Sequence, residues 1–101
     1  GENVYCAEVE AALYRHPAVA ECCVFGVPDP RLGEDVGVAV LLKDGEALNE
    51  GDLRQFVVTL IANYKVPRHI WFMAEPLPRN ASGKFLRREL RDRLAAALPA
   101  G

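Results

Sequence analysis

Two short apolar runs rich in valine lie on either side of a segment of turn-forming residues, and no other feature limits the possible folds of this chain so strongly. The first run extends from Val19 to Val27 and the second from Val36 to Leu42. The segment between them, 28–33, reads Pro-Asp-Pro-Arg-Leu-Gly, and proline and glycine interrupt regular structure. The pattern therefore predicts two strands joined by a turn.

Amphipathic helices are predicted before and after this pair of strands. In a first helix of about 6–15, Val9, Ala12 and Leu13 recur at helical spacing, and Pro17 ends the run. Asn49 is a suitable N-cap for a second helix. The apolar positions of that second helix are Leu53, Phe56, Val57, Leu60, Ile61 and Tyr64.

The rest of the chain contains one more strand and one more helix. Residues His69–Met73 form an apolar run that we expect to be a buried strand. A loop containing Pro76, Pro78 and Gly83 follows, and a helix is predicted over 85–98. Its apolar stripe consists of Leu86, Leu90, Leu94 and Leu98. The order αββαβα predicts one α+β domain over 1–101, with a small sheet of about three strands flanked by helices.

Composition and charge exclude several classes of protein. Half of the 101 residues are hydrophobic and 26% are charged, as in ordinary globular domains, and no apolar run approaches the roughly 20 residues that cross a bilayer. Residues 1–63 carry four basic and eleven acidic side chains, whereas residues 64–101 carry eight basic and three acidic ones. The basic C-terminal part favours anionic ligands. Nucleic acid is not expected as a partner, because the acidic part would repel phosphate.

The three cysteines and the first residue indicate where the chain belongs. An odd number of cysteines without a targeting segment predicts a reducing compartment, the cytoplasm. Cys22 and Cys23 are adjacent in a predicted strand, so they should point to opposite faces as small buried hydrophobes. No cysteine pair has zinc-site spacing, and no metal site is predicted. Because the sequence opens on Gly1 and not on Met, we expect a fragment of a longer protein.

The sharpest local signal is a lysine at the end of a loop that leads into a helix. Residues 78–84 read Pro-Arg-Asn-Ala-Ser-Gly-Lys. The segment is not a Walker A loop, which would need glycine at Pro78 and serine or threonine at Phe85. Anions are favoured near the start of a helix. Lys84 is therefore a candidate catalytic residue, with Ser82 and Gly83 as loop support, although a solvated lysine is the simpler interpretation.

Five segments together resemble one family. They are Gly1-Glu2-Asn3-Val4-Tyr5, Glu8-Val9-Glu10, Gly26-Val27-Pro28-Asp29 with Gly33-Glu34, Tyr64-Lys65-Val66-Pro67-Arg68, and Pro78 to Leu90. In this order and spacing they resemble the C-terminal domain of AMP-forming acyl-CoA ligases, which belong to the adenylate-forming superfamily. The resemblance covers nearly the whole chain. Cys6 departs from the pattern, since the family often has proline there, and Val66 stands where some relatives have a basic residue.

The resemblance implies a function that this chain shares with a missing N-terminal domain of the same polypeptide. A carboxylic acid, fatty or aromatic, reacts with ATP to give an acyl-adenylate and pyrophosphate, and CoA then gives acyl-CoA and AMP. Lys84 enters the active site for the first step. The domain then rotates and presents a CoA-binding surface, which consists of Gly1, Glu2, Asn3, Tyr64, Lys65 and Arg68. Mg²⁺ is bound through the absent domain, and this chain alone is expected to hold no cofactor and to be inactive.

Other interpretations remain open from the sequence. Tyr64 either stacks on the CoA adenine or continues the apolar face of its helix. In a second interpretation, the whole chain is a free-standing module that binds CoA or an acidic protein without catalysis. In a third interpretation it is a structural fragment in which the basic last helix is only a solvated surface.

Overall fold

A computed structural model describes residues 4–29 and 33–98, which form a three-layer α+β structure. Three helices, three strands and one short 3₁₀ turn make up this part of the chain. In chain order they are α1 (Val4–Tyr14), β1 (Val19–Asp29), β2 (Gly33–Leu42), α2 (Glu50–Val58), the 3₁₀ turn (Asn63–Lys65), β3 (His69–Met73) and α3 (Arg87–Ala95). The predicted fold class and the predicted order αββαβα are both confirmed.

The sheet has the strand order β1-β2-β3. Strands β1 and β2 form an antiparallel hairpin in which Val24 lies opposite Val38. The two predicted strands are therefore confirmed, and their pairing continues through Asp29 and Gly33, into the segment that was predicted as the turn. Strand β3 is parallel to β2 and pairs Ile70 with Val38, which a parallel crossover through α2 makes possible.

Each face of the sheet is covered by different helices, because side chains of a strand alternate between its two faces. Helices α1 and α2 pack on one face, which includes Cys22, Val24 and Val38. Helix α3 and the loop before it pack on the other face, which includes Cys23 and Phe25. The two adjacent cysteines are thus fully buried on opposite faces, as predicted. Burial, followed by the negative charge of Glu10, raises the pKa of the Cys22 thiol.

The outer edge of β1 is protected by side chains. The hydroxyl of Tyr14 accepts a hydrogen bond from the Cys22 amide at 3.2 Å and donates one to the Cys22 carbonyl at 3.4 Å. Glu10 accepts from the amide of Val24 at 2.7 Å, and Arg87 donates to the Val24 carbonyl. Exposed strand edges invite pairing with other chains. These contacts occupy backbone groups of β1 that a further strand would need.

Two boundary predictions were wrong for local reasons. Helix α2 ends at Val58 and does not reach Tyr64, because the backbone amide and the hydroxyl of Thr59 both bond to the carbonyl of Phe56 and the chain turns. Helix α3 begins at Arg87, since Phe85 instead forms a β-bridge with Arg79.

Strand β3 is present as predicted but is largely not buried. It lies at the edge of the sheet, and only Ile70 is buried, whereas Phe72 is 38% exposed. The apolar run alone could not show whether the strand lies at the edge or in the centre of the sheet, because a strand in either position places apolar side chains against the core.

Removal of the α2 N-cap gives a simple test of the fold. The side chain of Asn49 accepts a hydrogen bond from the Asp52 amide at 2.7 Å, as the sequence predicts. We expect Asn49→Ala to lower the free energy of unfolding by about 1 kcal/mol, measured by urea denaturation. Asn63→Ala is the matched control, since no side chain caps the 3₁₀ turn. A loss of equal size in both variants would contradict this assignment of the cap.

Candidate functional site

Lys84 lies on a tight hairpin, the lysine hairpin, which comprises residues 79–85. A β-bridge between Arg79 and Phe85 closes it, and the Asn80 amide donates to the Lys84 carbonyl at 2.8 Å. Gly83 has φ = +85°, a conformation that side-chain-bearing residues rarely adopt. The turn therefore requires glycine immediately before the lysine.

The side chain of Asn80 organises the turn from inside. Its Oδ1 atom accepts hydrogen bonds from the amides of Ser82 at 2.9 Å and Lys84 at 3.1 Å. Asparagine commonly folds the backbone in this way. The hydrogen bonds to the amides of Ser82 and Lys84 thus place residues 82–84 in one ordered turn. Asn80 itself was missed, although an asparagine two residues before Ser82 was a readable turn signal.

The ammonium group of Lys84 extends from the exposed end of this hairpin. The residue is exposed, and within residues 4–29 and 33–98 no carboxylate lies within ion-pairing distance of its Nζ atom. Arg79, the other cation of the lysine hairpin, pairs with Glu21 at 3.2 Å. A lysine that is held at its backbone, exposed and not neutralised can interact with an anionic group brought to it.

The second predicted cluster lies around residues 64–68. Tyr64 lies in the 3₁₀ turn and is 79% exposed, so the alternative in which it continues the apolar face of α2 is wrong. Lys65 pairs with Glu8 of α1 at 2.8 Å, and its Nζ atom lies 5.6 Å from the centre of the Tyr64 ring. The hydrogen bond to Glu8 raises the pKa of the Lys65 ammonium group. An exposed aromatic ring can stack on a planar base, and the ammonium group beside it can interact with an anion.

Arg68 is held by an ion pair and by its own backbone. Its Nε atom lies 2.9 Å from Oδ2 of Asp35, which is 9% exposed, and its amide donates to the carbonyl of Val36. Arg54 donates to the carbonyls of Pro67 and Arg68 at 2.9 and 2.8 Å. Arg68 thus has a structural partner, and any phosphate would share its guanidinium with Asp35. These ion pairs join residues far apart in sequence and were not predicted.

The two clusters lie at opposite ends of the sheet. Arg68 is anchored at Asp35, at the start of β2. The lysine hairpin is anchored by an ion pair of 3.2 Å between Arg79 and Glu21, and Glu21 lies opposite Leu41 of β2. The six residue steps from Asp35 to Leu41 correspond to about 20 Å along a strand. Lys84 and Arg68 are therefore attached to well-separated parts of one rigid sheet.

Two further observations bear on ligands. Among the described residues no group of three or more His, Cys, Asp or Glu is arranged to hold a metal ion. None of the helices in the described part of the chain is long and apolar enough to cross a membrane. The predicted contacts of Gly1, Glu2 and Asn3 fall outside the described residues.

Comparison with known proteins then decides the family. Residues 8–84 match the model of the AMP-binding enzyme C-terminal domain, which is more than half of the chain. The chain belongs to this family. The match ends at Lys84, so the loop that carries the exposed lysine lies within the AMP-binding enzyme C-terminal domain.

Individual relatives agree with that assignment. The chain is 50% identical over 93 residues to a fatty acid–[acyl-carrier-protein] ligase of Streptomyces coeruleorubidus, a match that covers 92% of this chain and 18% of the relative. It is 48% identical over 92 residues to a 2-succinylbenzoate–CoA ligase of Bacillus cereus, covering 91% of this chain and 18% of that protein.

Solved structures show the same fold. The fatty acyl-CoA synthetase of Mycobacterium tuberculosis superimposes with a TM-score of 0.84 at 38% identity, covering 98% of this chain and 19% of that one. This AMP-binding enzyme C-terminal domain therefore spans about a fifth of the length of these relatives.

Proposed function

We propose that this chain is the mobile C-terminal domain of an AMP-forming acyl-CoA ligase that acts in the cytoplasm. The whole enzyme converts a carboxylic acid, ATP and CoA to acyl-CoA, AMP and pyrophosphate. An N-terminal domain of the same polypeptide binds ATP, the acid and Mg²⁺. The observation that carries the proposal is the exposed Lys84 on an ordered hairpin, with no carboxylate paired to it among the described residues, in a chain that matches ligases over nine-tenths of its length.

Lys84 supplies positive charge to the adenylation step. As the carboxylate attacks ATP, negative charge increases on the α-phosphate oxygens and pyrophosphate leaves. A positioned ammonium group stabilises that charge, and the effect is large where the neighbouring domain excludes water. Ser82 and Gly83 support the turn that presents the lysine. ATP–pyrophosphate exchange by the full-length protein, over a panel of fatty and aromatic acids, tests this half of the proposal.

The 64–68 segment binds CoA in the second step. Tyr64 stacks on the adenine, while Lys65 and Arg68 contact phosphates in competition with Glu8 and Asp35. Gly1, Glu2 and Asn3 line the passage for the pantetheine arm. Support for this placement comes from α1, which begins at Val4 directly after them. The Lys65–Glu8 pair brings the 3₁₀ turn beside the same helix.

The separation of the two clusters explains why the domain has to move. The first half-reaction occurs at the α-phosphorus of ATP and the second at the acyl carbon of the adenylate, one oxygen atom away, so the two surfaces serve one active site in turn. Surfaces attached about 20 Å apart on one sheet cannot both face that active site in a single orientation. Rotation of the whole domain between the steps satisfies both requirements.

A substitution at Tyr64 tests the CoA surface. We expect Tyr64→Ala in the full-length protein to raise the KM for CoA about 5- to 30-fold, since stacking of a base on an aromatic ring contributes roughly 1–2 kcal/mol. ATP–pyrophosphate exchange should not change. Phe72→Ala, which removes another exposed ring, is the control for a general effect of lost aromatic surface. An unchanged KM for CoA in Tyr64→Ala would remove Tyr64 from the CoA site.

A further inference from the structure

The carboxylate of Glu21 in β1 contacts the segment that leads into the lysine hairpin. Oε1 of Glu21 accepts a hydrogen bond from the Leu77 amide at 2.8 Å, and Oε2 pairs with Nη2 of Arg79 at 3.2 Å. The pairing register of β1 shifts between Val19 and Glu21, and such irregularities redirect side chains. Glu21 thus fixes the two residues that flank Pro78.

Arg79 extends this connection to the residue before Lys84. Its Nη1 atom donates to the Gly83 carbonyl at 2.8 Å, and its guanidinium carbon lies 4.2 Å from the centre of the Phe85 ring. The Gly83 carbonyl belongs to the peptide group that leads into Lys84. A continuous chain of contacts therefore runs from β1 through Glu21 and Arg79 to the peptide that orients the lysine.

We infer that Glu21 and Arg79 are positioning residues for Lys84, an inference that rests on the proposed role of Lys84 in adenylation. Both side chains act through the peptide group between Gly83 and Lys84 in this assignment. Gly83 can adopt many backbone conformations, and the hydrogen bond from Arg79 to its carbonyl acts together with the Asn80 contacts to hold one of them. Because a displacement of about 1 Å can cost on the order of 10²-fold in rate, this restriction determines how well the ammonium group meets the α-phosphate.

The test uses the full-length protein and separates its two half-reactions. Arg79→Met keeps most of the side-chain length and removes the donors to Gly83 and Glu21. We expect ATP–pyrophosphate exchange to fall about tenfold or more through kcat, with the KM for ATP and for the acid nearly unchanged. Thioester formation from preformed acyl-adenylate and CoA should stay within about twofold of wild type, because Lys84 is not used there. Arg93→Met, an exposed arginine of α3, is the matched control.

A second variant keeps the inference testable if Arg79→Met does not fold. Glu21→Gln retains an oxygen for the Leu77 amide and removes the ion pair, so exchange should fall by a smaller factor with the same selectivity. The double variant should be no slower than Arg79→Met alone, since residues that act as a unit are not additive. If the rates of both half-reactions fell equally, Glu21 and Arg79 would have only a structural role, and the inference would be overturned.

Lys84→Ala, assayed in parallel, distinguishes this inference from the proposed function. If exchange collapses in Lys84→Ala and stays within twofold of wild type in both Arg79→Met and Glu21→Gln, the positioning role is wrong while the role of Lys84 stands. If Lys84→Ala itself retains full exchange, the proposed role of Lys84 in adenylation fails, and the positioning role fails with it.

Discussion

Lys84→Ala in the full-length protein is expected to lower ATP–pyrophosphate exchange by about 10²–10³-fold, the range for loss of one preorganised group that stabilises developing charge. The loss should appear in kcat, because the ammonium group acts on charge that develops in the transition state. The hairpin itself should persist, since the contacts that build it involve the backbone of Lys84 and not its side chain.

The control for this variant is another exposed lysine. Lys43 follows β2 directly and lies outside both clusters, so Lys43→Ala should leave exchange unchanged. A Lys84→Ala enzyme that kept exchange within a few-fold of wild type would show that the exposed lysine is only a solvated surface residue.

Glu10→Ala is expected to lower the free energy of unfolding by about 3 kcal/mol, a value typical of breaking a largely buried ion pair. Glu10 accepts from the Val24 amide and pairs with Arg87 of α3 at 2.6 Å. Both side chains of the pair are mostly buried, at 17% and 21% exposed. Removal of Glu10 leaves a buried guanidinium without this carboxylate and frees an amide at the edge of β1. Urea denaturation measures the change.

A neighbouring glutamate provides the comparison. Glu8 lies on the same helix and pairs with Lys65, but its side chain is 43% exposed. Solvent weakens such pairs, so Glu8→Ala should cost less than about 1 kcal/mol. If the two variants were equally stable, the contacts among Glu10, Val24 and Arg87 would not be what joins α1, β1 and α3.

The sequence predicted the parts of the fold that local patterns determine. Apolar runs and helical spacing located the three α-helices and three strands of the described part of the chain but not the 3₁₀ turn, and Asn49 was correctly predicted to cap α2. Boundaries were less accurate where a single local contact decides them. The hydrogen bonds of Thr59 end α2, and the bridge between Arg79 and Phe85 delays the start of α3, and neither contact changes the hydrophobic spacing.

The candidate site also has features that local sequence predicts and features that it does not. Lys84 and Gly83 could be predicted because a short motif specifies them. The ion-pair partners of Lys65, Arg68 and Arg79 could not be predicted. They are Glu8, Asp35 and Glu21, which are more than thirty residues away in sequence. Only the fold of the sheet brings these charges together.

The most direct test of the account measures both half-reactions in Lys84→Ala full-length protein. One assay follows ATP–pyrophosphate exchange, and the other follows thioester formation from preformed acyl-adenylate and CoA. If opposite ends of one sheet serve the two steps, exchange collapses while thioester formation stays within a few-fold of wild type. An equal loss in both assays would contradict the division of the domain into two functional surfaces.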